Sequence, residues 1–300
     1  MRLATFKEAN GDRLGAVEGK EIVDLTSTLP SPPQTMVELL EAGQGALDQV
    51  RAAIDSGEGR RPLEEVQLTA PVAPRKFFGV GLNYADHVAE SGLPTPENLM
   101  VFMKAPTCVS APYATVERPV VSDQLDYEGE LGFVIGTRCR HVRADRAHEV
   151  IAGYTIVNDF SVRDWQLMTS QWSLGKSFDT HGPIGPWITT ADELPDPLEL
   201  DIRTYVNDDL RQSSNTRELI FSCFEQVQFL SQVCTLEPGD VIATGTPSGV
   251  AGALEGKPWL VPGDCVRVEI DGLGTIENNV VQEPEVEGFS VAGTAGTAGS

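Results

Sequence analysis

The chain is poor in positive charge. Its 22 lysines and arginines face 44 aspartates and glutamates, leaving a net charge of −22 and a pI near 4.4. A surface of that sign repels phosphate backbones and anionic headgroups, so neither nucleic acid nor a membrane is expected as a partner. Long apolar runs are also missing. No stretch approaches the roughly 20 residues that span a bilayer. The first residues, MRLATFKEAN, contain no apolar core of a secretory signal, so the expected compartment is the cytoplasm. Cysteine is scarce and scattered. Cys108, Cys139, Cys223, Cys234 and Cys265 form no C-x-x-C pair, which excludes a zinc ribbon and a thioredoxin motif. They read as reduced core or surface thiols.

Complete nucleotide-binding motifs are missing too. Gly175-Lys176-Ser177 resembles the end of a phosphate loop, but Ser170 stands where its first glycine is needed. Gly79-Val80-Gly81 opens like a dinucleotide fingerprint, yet the third glycine position holds Tyr84. Regular alternation of strands and helices is absent, which disfavours a doubly wound sheet.

What remains, with 41% hydrophobic and 22% charged residues in 300, is ordinary for a globular protein with a sizeable core. Residues 1–70 read as a small α+β unit. Strands are expected at Met1–Glu8, Arg13–Glu18 and Glu21–Leu25, then a helix over Met36–Ala53 weakened or split by Gly43 and Gly45. Pro71 and Pro74 mark its end. Residues 71–285 are mainly strands, expected at Lys76–Gly81, Glu130–Ile135, Tyr154–Val157, Leu198–Val206, Asp240–Ala243 and Cys265–Ile270. Helices are expected at Val162–Thr169 and Ser222–Gln232. Residues 286–300, small and repetitive, are expected to be disordered.

The chemistry concentrates in Asp126-Tyr127-Glu128-Gly129-Glu130, which leads into an apolar run. On a strand Glu128 and Glu130 share a face, and two carboxylates there call for a cation between them. Gly129 leaves room for another element on the opposite face. A second apolar run, Ile151–Val157, ends in Asn158-Asp159, placing a third carboxylate at a strand end. An oxygen-only site of this kind suits Mg²⁺ or Mn²⁺, with Ca²⁺ a third candidate, and not zinc.

Four strings stand in series: DYEGELGFVIG, GYTIVNDFSVRDWQ, GKSFDTHGPIGP and GDVIATGTPSGV. In order and spacing they resemble the fumarylacetoacetate hydrolase family from about Phe77 to Val281, closest to its acylpyruvase-like and oxaloacetate-tautomerase-like branches. The resemblance implies a mixed β-sandwich roll, mainly β, preceded by a small N-terminal α+β domain, and a homodimer. It also implies that Glu128, Glu130 and Asp159 hold a divalent metal. Arg163, Gln166 and Lys176 match positions that line the site, with Lys176 among the catalytic groups. Thr244 matches a substrate contact, and Gly245 stands beside it in the TGTP turn. Arg163 and Lys176 supply the local positive charge that an anionic substrate needs in an acidic protein. The loop 244–249 can offer backbone N–H groups to an anion.

Asn83 is positioned to cap a short helix that Gly92 ends, bringing His87 and Glu90 onto one face. A carboxylate beside an imidazole fixes its tautomer and raises its basicity. The family resemblance makes this segment a lid whose His–Glu pair activates water. His181, where several relatives carry an aromatic residue, is expected to change pocket polarity. His141 and His148 read as surface residues. The substrate expected is a small anionic 2-oxo acid or 1,3-diketone acid, cleaved at a C–C bond. Decarboxylation or keto–enol isomerisation of an oxaloacetate-like acid is the alternative, and a non-catalytic ligand-binding protein the third reading.

Overall fold

The computed structural model describes residues 1–285 apart from positions 93 and 195, and the tail expected to be disordered lies outside them. Five strands come from the first 70 residues: β1 (Arg2–Glu8), β2 (Gly11–Glu18), β3 (Glu21–Asp24), β4 (Arg60–Pro62) and β5 (Leu68–Thr69). Next come β6 (Phe77–Gly81), β7 (Met100–Lys104), β8 (Val109–Ser110), β9 (Val116–Arg118) and β10 (Leu125–Asp126). The middle of the chain adds β11 (Gly129–Ile135), β12 (Ile151–Asn158), β13 (Ser161–Val162) and β14 (Gly182–Thr190). The last five are β15 (Asp201–Val206), β16 (Asp209–Asn215), β17 (Val241–Ala243), β18 (Cys265–Ile270) and β19 (Gly274–Gln282). Six α-helices accompany them: α1 (Leu25–Thr28), α2 (Met36–Glu41), α3 (Gln44–Ser56), α4 (Ala85–Ser91), α5 (Arg163–Leu167) and α6 (Cys223–Val233). None of the described helices is long and apolar enough to cross a membrane.

The fold is mainly β. A 12-stranded mixed sheet runs β4-β3-β2-β1-β14-β12-β11-β17-β6-β7, with β5 on β1 and β8 on β14. A five-stranded sheet, β16-β15-β18-β19-β9, packs against it. Phe133, Leu131 and Ile156 of the large sheet meet Ile202, Val268 and Ile276 of the small one, with Val227 and Leu230 of α6 closing the core. On the other face Val134, Val157 and Ile188 pack with Leu39 of α2 and Val50 of α3. Covered on both faces, β11 is buried at all seven positions, which explains its nearly continuous apolar run.

Residues 1–70 do not form a separate sheet. β1 pairs antiparallel with β14, Leu3 opposite Ile188, so the large sheet runs across the position of the expected boundary. The expected helix 36–53 is two helices broken at Gly43, which adopts φ 69°. α5 covers only five residues of the expected 162–169. The strands β14, β16 and β19, absent from the sequence reading, carry interspersed Gly, Pro or polar residues that hide their alternation, while β7, also absent from it, is a short unbroken apolar run ending in Lys104. β14, for example, contains Pro183 and Pro186 and still spans nine residues.

Candidate active site

The site grows from the pairing of β11 with β12. Gly129 lies opposite Asn158, so Glu128 and Asp159 face each other one step beyond. There the Asp159 N–H donates to the Glu128 carbonyl at 2.8 Å. Side-chain alternation then puts Glu130 on the same face as Glu128. The three carboxylates are buried and offer ligand oxygens within 4.8 Å of one another. The opposite face is as crowded as Gly129 foretells: a Cβ there would stand 2.2 Å from the Thr204 hydroxyl.

Two buried cations, Lys176 and Lys104, and the partly buried Arg163 answer these charges. The Lys176 ammonium bridges Glu128 at 2.6 Å and Asp159 at 2.8 Å. Arg163 donates through Nη1 to Glu128 at 2.6 Å and to Gln166 at 2.8 Å, and through Nε to Asp126 at 2.8 Å. Its Nη2 is buried with no partner among the described residues. Lys104, fully buried at the end of β7, donates to Asp159 at 2.6 Å, to the His181 carbonyl at 3.1 Å and to the Lys176 carbonyl. Lys104 and Asp126 escaped the sequence reading. Asp126 was visible in principle as the first member of an i, i+2, i+4 carboxylate series, whereas no spacing in the sequence points to Lys104.

The electrostatics of the cluster are divided. Burial would raise Glu128, but the charges of Lys176 and Arg163 outweigh it and bring the carboxyl down to about 2. Glu130 goes the other way. Burial, then repulsion from Asp159 and Glu128, hold it well above the usual carboxylate range, with only the Gly245 N–H at 2.8 Å and the Lys176 charge opposing. A buried carboxylate left short of positive charge beside two others is the condition a divalent cation relieves. The donor set is all hard oxygen, and Glu128, Glu130 and Asp159 fit Mg²⁺ or Mn²⁺.

A cavity of about 350 Å³ reaches this cluster at Glu128; Glu130 and Asp159 are not among the residues that line it. Glu128, Lys176, Arg163 and Gln166 form its floor, and His87 and Glu90 of α4 form part of its wall. The His87 Nδ1 lies 3.4 Å from a Glu90 oxygen, and both Glu90 oxygens accept the Gly249 N–H at 3.1 Å. Trp172 and Trp259 flank the opening, and Thr246 completes the wall.

Four expectations need correction. Thr244 and Gly245 are not among the residues lining the cavity. The Thr244 hydroxyl donates to the Leu131 carbonyl at 2.9 Å, and the Gly245 N–H is spent on Glu130. The loop 244–249 therefore directs N–H groups from Gly245 and Gly249 at the protein's own carboxylates, Glu130 and Glu90. Asn83 does not cap α4, whose N-cap is Tyr84 without a side-chain bond. Its amide instead ties Thr244 and Phe221 together, donating to the Thr244 carbonyl at 2.7 Å and accepting the Phe221 N–H at 2.8 Å.

The fourth concerns His181, which is fully buried behind the cavity, its ring 5.5 Å from Phe178 and its Nε2 2.7 Å from the Glu117 carbonyl. It cannot set pocket polarity directly. Burial lowers its pKa from 6.5 to about 4, the Glu117 hydrogen bond opposing and the Lys104 charge assisting. The unfolded chain thus takes up this proton near pH 6.5 and the folded chain only near pH 4. Stability from the neutral ring is complete above the first value and is lost as pH falls through the second. The protein is expected to be about 2 kcal/mol less stable at pH 5 than at pH 7 on this account. Urea midpoints at the two pH values should show a smaller difference in His181→Phe; an equal difference refutes the assignment.

Residues 76–281 match the profile of the fumarylacetoacetate (FAA) hydrolase C-terminal family. A mitochondrial oxaloacetate tautomerase of Bos taurus is 41% identical over 288 residues, 94% of this chain and 92% of that protein. Among solved structures, maleylpyruvate hydrolase from Sphingobium sp. SYK-6, in complex with manganese(II) and pyruvate, superposes with TM-score 0.80 at 37% identity, covering 95% of this chain and 100% of that one. The 5-carboxymethyl-2-hydroxymuconate delta-isomerase of Mycobacterium smegmatis gives 0.76 at 36%, covering 94% and 100%.

Proposed function

The chain belongs to the fumarylacetoacetate hydrolase family of enzymes, and on that premise we propose that it is a divalent-metal-dependent hydrolase of acylpyruvates or related 1,3-diketone acids. The observation that carries this reading is the His87–Glu90 pair facing Glu128 across one cavity. Glu128, Glu130 and Asp159 would hold the metal, which when bound would supply Lewis-acid polarisation of a 2-oxo acid. Lys176 and Arg163 supply the positive charge that draws the anionic substrate toward Glu128.

With Nδ1 turned toward Glu90, the Nε2 of His87 is left to take a proton from water. The oxygen of that water attacks the distal carbonyl carbon. The C–C bond then breaks, its electron pair stays with the 2-oxo acid fragment, and that carbon takes back the proton that His87 removed from the water. A carboxylic acid and a 2-oxo acid such as pyruvate result. A homodimer in the cytoplasm is the proposed working form.

Keto–enol tautomerisation of an oxaloacetate-like acid is the second reading, favoured by the 41% identity to an oxaloacetate tautomerase. It uses the same metal and cations but no attacking water, and decarboxylation shares that need. Incubation of purified protein with Mg²⁺ or Mn²⁺ and acetylpyruvate, fumarylpyruvate or oxaloacetate tests both. Loss of enol absorbance with release of pyruvate from an acylpyruvate is the expected result, abolished by chelator and restored by metal. Turnover of oxaloacetate alone transfers the assignment to the second reading. Full activity without metal overturns both. Light scattering on the same preparation reads the dimer mass.

A further inference from the structure

We propose that Lys104 sets the metal preference of the site: it confines Asp159 to coordination through one oxygen, so that Mg²⁺ and Mn²⁺ are taken ahead of Ca²⁺. This rests on the proposed metal centre at Glu128, Glu130 and Asp159. A lysine is almost never fully buried without a partner, and the side chains of both Lys104 and Asp159 have no exposure at all. Lys104 is also not among the residues that line the cavity, so the substrate does not meet it. Its charge serves the carboxylate cluster and nothing else.

The ammonium is fixed independently of Asp159. Its three N–H donors go to the His181 carbonyl at 3.1 Å, to the Lys176 carbonyl and to Asp159 Oδ1 at 2.6 Å. The first two acceptors are backbone atoms of the segment that enters β14, and they hold Nζ in place. β7 supplies the stem: Lys104 lies opposite Phe77 of β6, and Nζ stands 5.8 Å from the centre of the Phe77 ring. Turning the Asp159 carboxylate to present both oxygens would break the 2.6 Å contact. A buried ammonium would then be left without its counter-charge, the costly way to disturb a buried pair. Oδ1 is locked, and Oδ2 is the oxygen left for a cation.

The other two carboxylates are held in the same way. Arg163 Nη1 takes Oε1 of Glu128 at 2.6 Å, with Asp126 gripping the guanidinium at 2.8 Å. The Gly245 N–H takes Oε2 of Glu130 at 2.8 Å. Lys176 reaches Oε2 of Glu128 and Oδ2 of Asp159, but it lines the cavity and both contacts are to side chains, so it can give way without disturbing the backbone. One oxygen from each carboxylate lies within 4.8 Å of the others. Three one-oxygen ligands occupy half of an octahedron and leave the other half to water and substrate, a set that Mg²⁺ and Mn²⁺ accept. Ca²⁺ takes roughly six to eight oxygens and gains from carboxylates that offer both of theirs. Of the three locks only Lys104 is a side chain outside the cavity, which makes it the one to test.

The test displaces bound Mn²⁺ with Mg²⁺ or Ca²⁺ and follows the freed Mn²⁺ by electron paramagnetic resonance. Mg²⁺ dehydrates reluctantly, which favours Ca²⁺ in an unconstrained carboxylate cluster; wild type is expected to bind Mg²⁺ at least as tightly as Ca²⁺. Lys104→Met should shift the affinity ratio about 10-fold toward Ca²⁺, the lower end of what an outer-shell partner contributes. Removing a positive charge strengthens both cations alike and a general loosening weakens both alike, so the ratio isolates the lock. Infrared difference spectra of the wild type give a second readout that needs no variant. The splitting of the carboxylate stretches should be that of one-oxygen coordination with Mg²⁺ and with Ca²⁺, and Lys104→Met should add a two-oxygen band with Ca²⁺ alone. A wild type that prefers Ca²⁺ or shows two-oxygen bands, or a ratio unmoved in Lys104→Met, overturns the lock and leaves the metal centre standing. Failure of the wild type to bind any of the three cations overturns the centre and the lock with it.

Discussion

Glu130→Gln is expected to abolish divalent-metal binding and every activity together while leaving the fold intact. The substitution keeps the shape of the side chain and an oxygen to accept the Gly245 N–H, but removes one of three clustered ligand charges. Loss of an outer-shell partner typically costs about 10–100-fold in metal affinity or activity, and loss of a ligand should exceed that. Glu128→Ala should be more damaging still. It strips a carboxylate from both Lys176 and Arg163, leaving each with one carboxylate partner, Asp159 and Asp126, and breaking a buried pair by removing one member typically costs about 3–5 kcal/mol. The two variants therefore separate metal loss from unfolding. Bound metal by elemental analysis, urea midpoints and turnover on each decide the matter. A Glu130→Gln protein that retains metal and full turnover removes these carboxylates from the proposed centre.

The carboxylate cluster was legible because strand geometry is local. Glu128 and Glu130 share a face by period two, and an apolar run ending in Asp159 supplies the third group once β11 and β12 pair. The mainly β architecture was legible for the same reason, wherever β-branched residues alternate cleanly. What escaped depends on contacts between distant segments. Lys104 meets Asp159 only because β7 lies at the end of a sheet whose order no spacing reveals. Asn83 looked like a helix cap, since Asn followed by a short helix usually is one. Its amide goes instead to Thr244 and Phe221, far away in sequence. Thr244 and Gly245 were expected at the substrate, because the motif could not tell that the Thr244 hydroxyl would be used by the Leu131 carbonyl and the Gly245 N–H by Glu130. The small N-terminal unit looked separate since prolines bracket it, yet the β1–β14 pairing is invisible until both strands are known.

His87→Ala is expected to lower acylpyruvate cleavage about 10²–10⁴-fold, the usual cost of losing a general base, with metal content unchanged. The two effects separate because His87 lies on α4, in the cavity wall, and is not one of the three carboxylates that hold the metal. Glu90→Gln should give a milder version. It retains an oxygen for the Gly249 N–H but withdraws the charge that orients His87. Oxaloacetate turnover provides the contrast. Tautomerisation and decarboxylation need charge stabilisation at the floor and no water attack, so the metal-loaded His87→Ala protein should keep much of either activity. The measurement is cleavage and oxaloacetate turnover on each variant, with bound metal quantified in every sample. Unchanged cleavage by a metal-loaded His87→Ala protein rules out this pair as the water activator. If oxaloacetate turnover collapses while metal stays bound, His87 moves a proton on the substrate itself, and the tautomerase reading then accounts for the residue better than hydrolysis does.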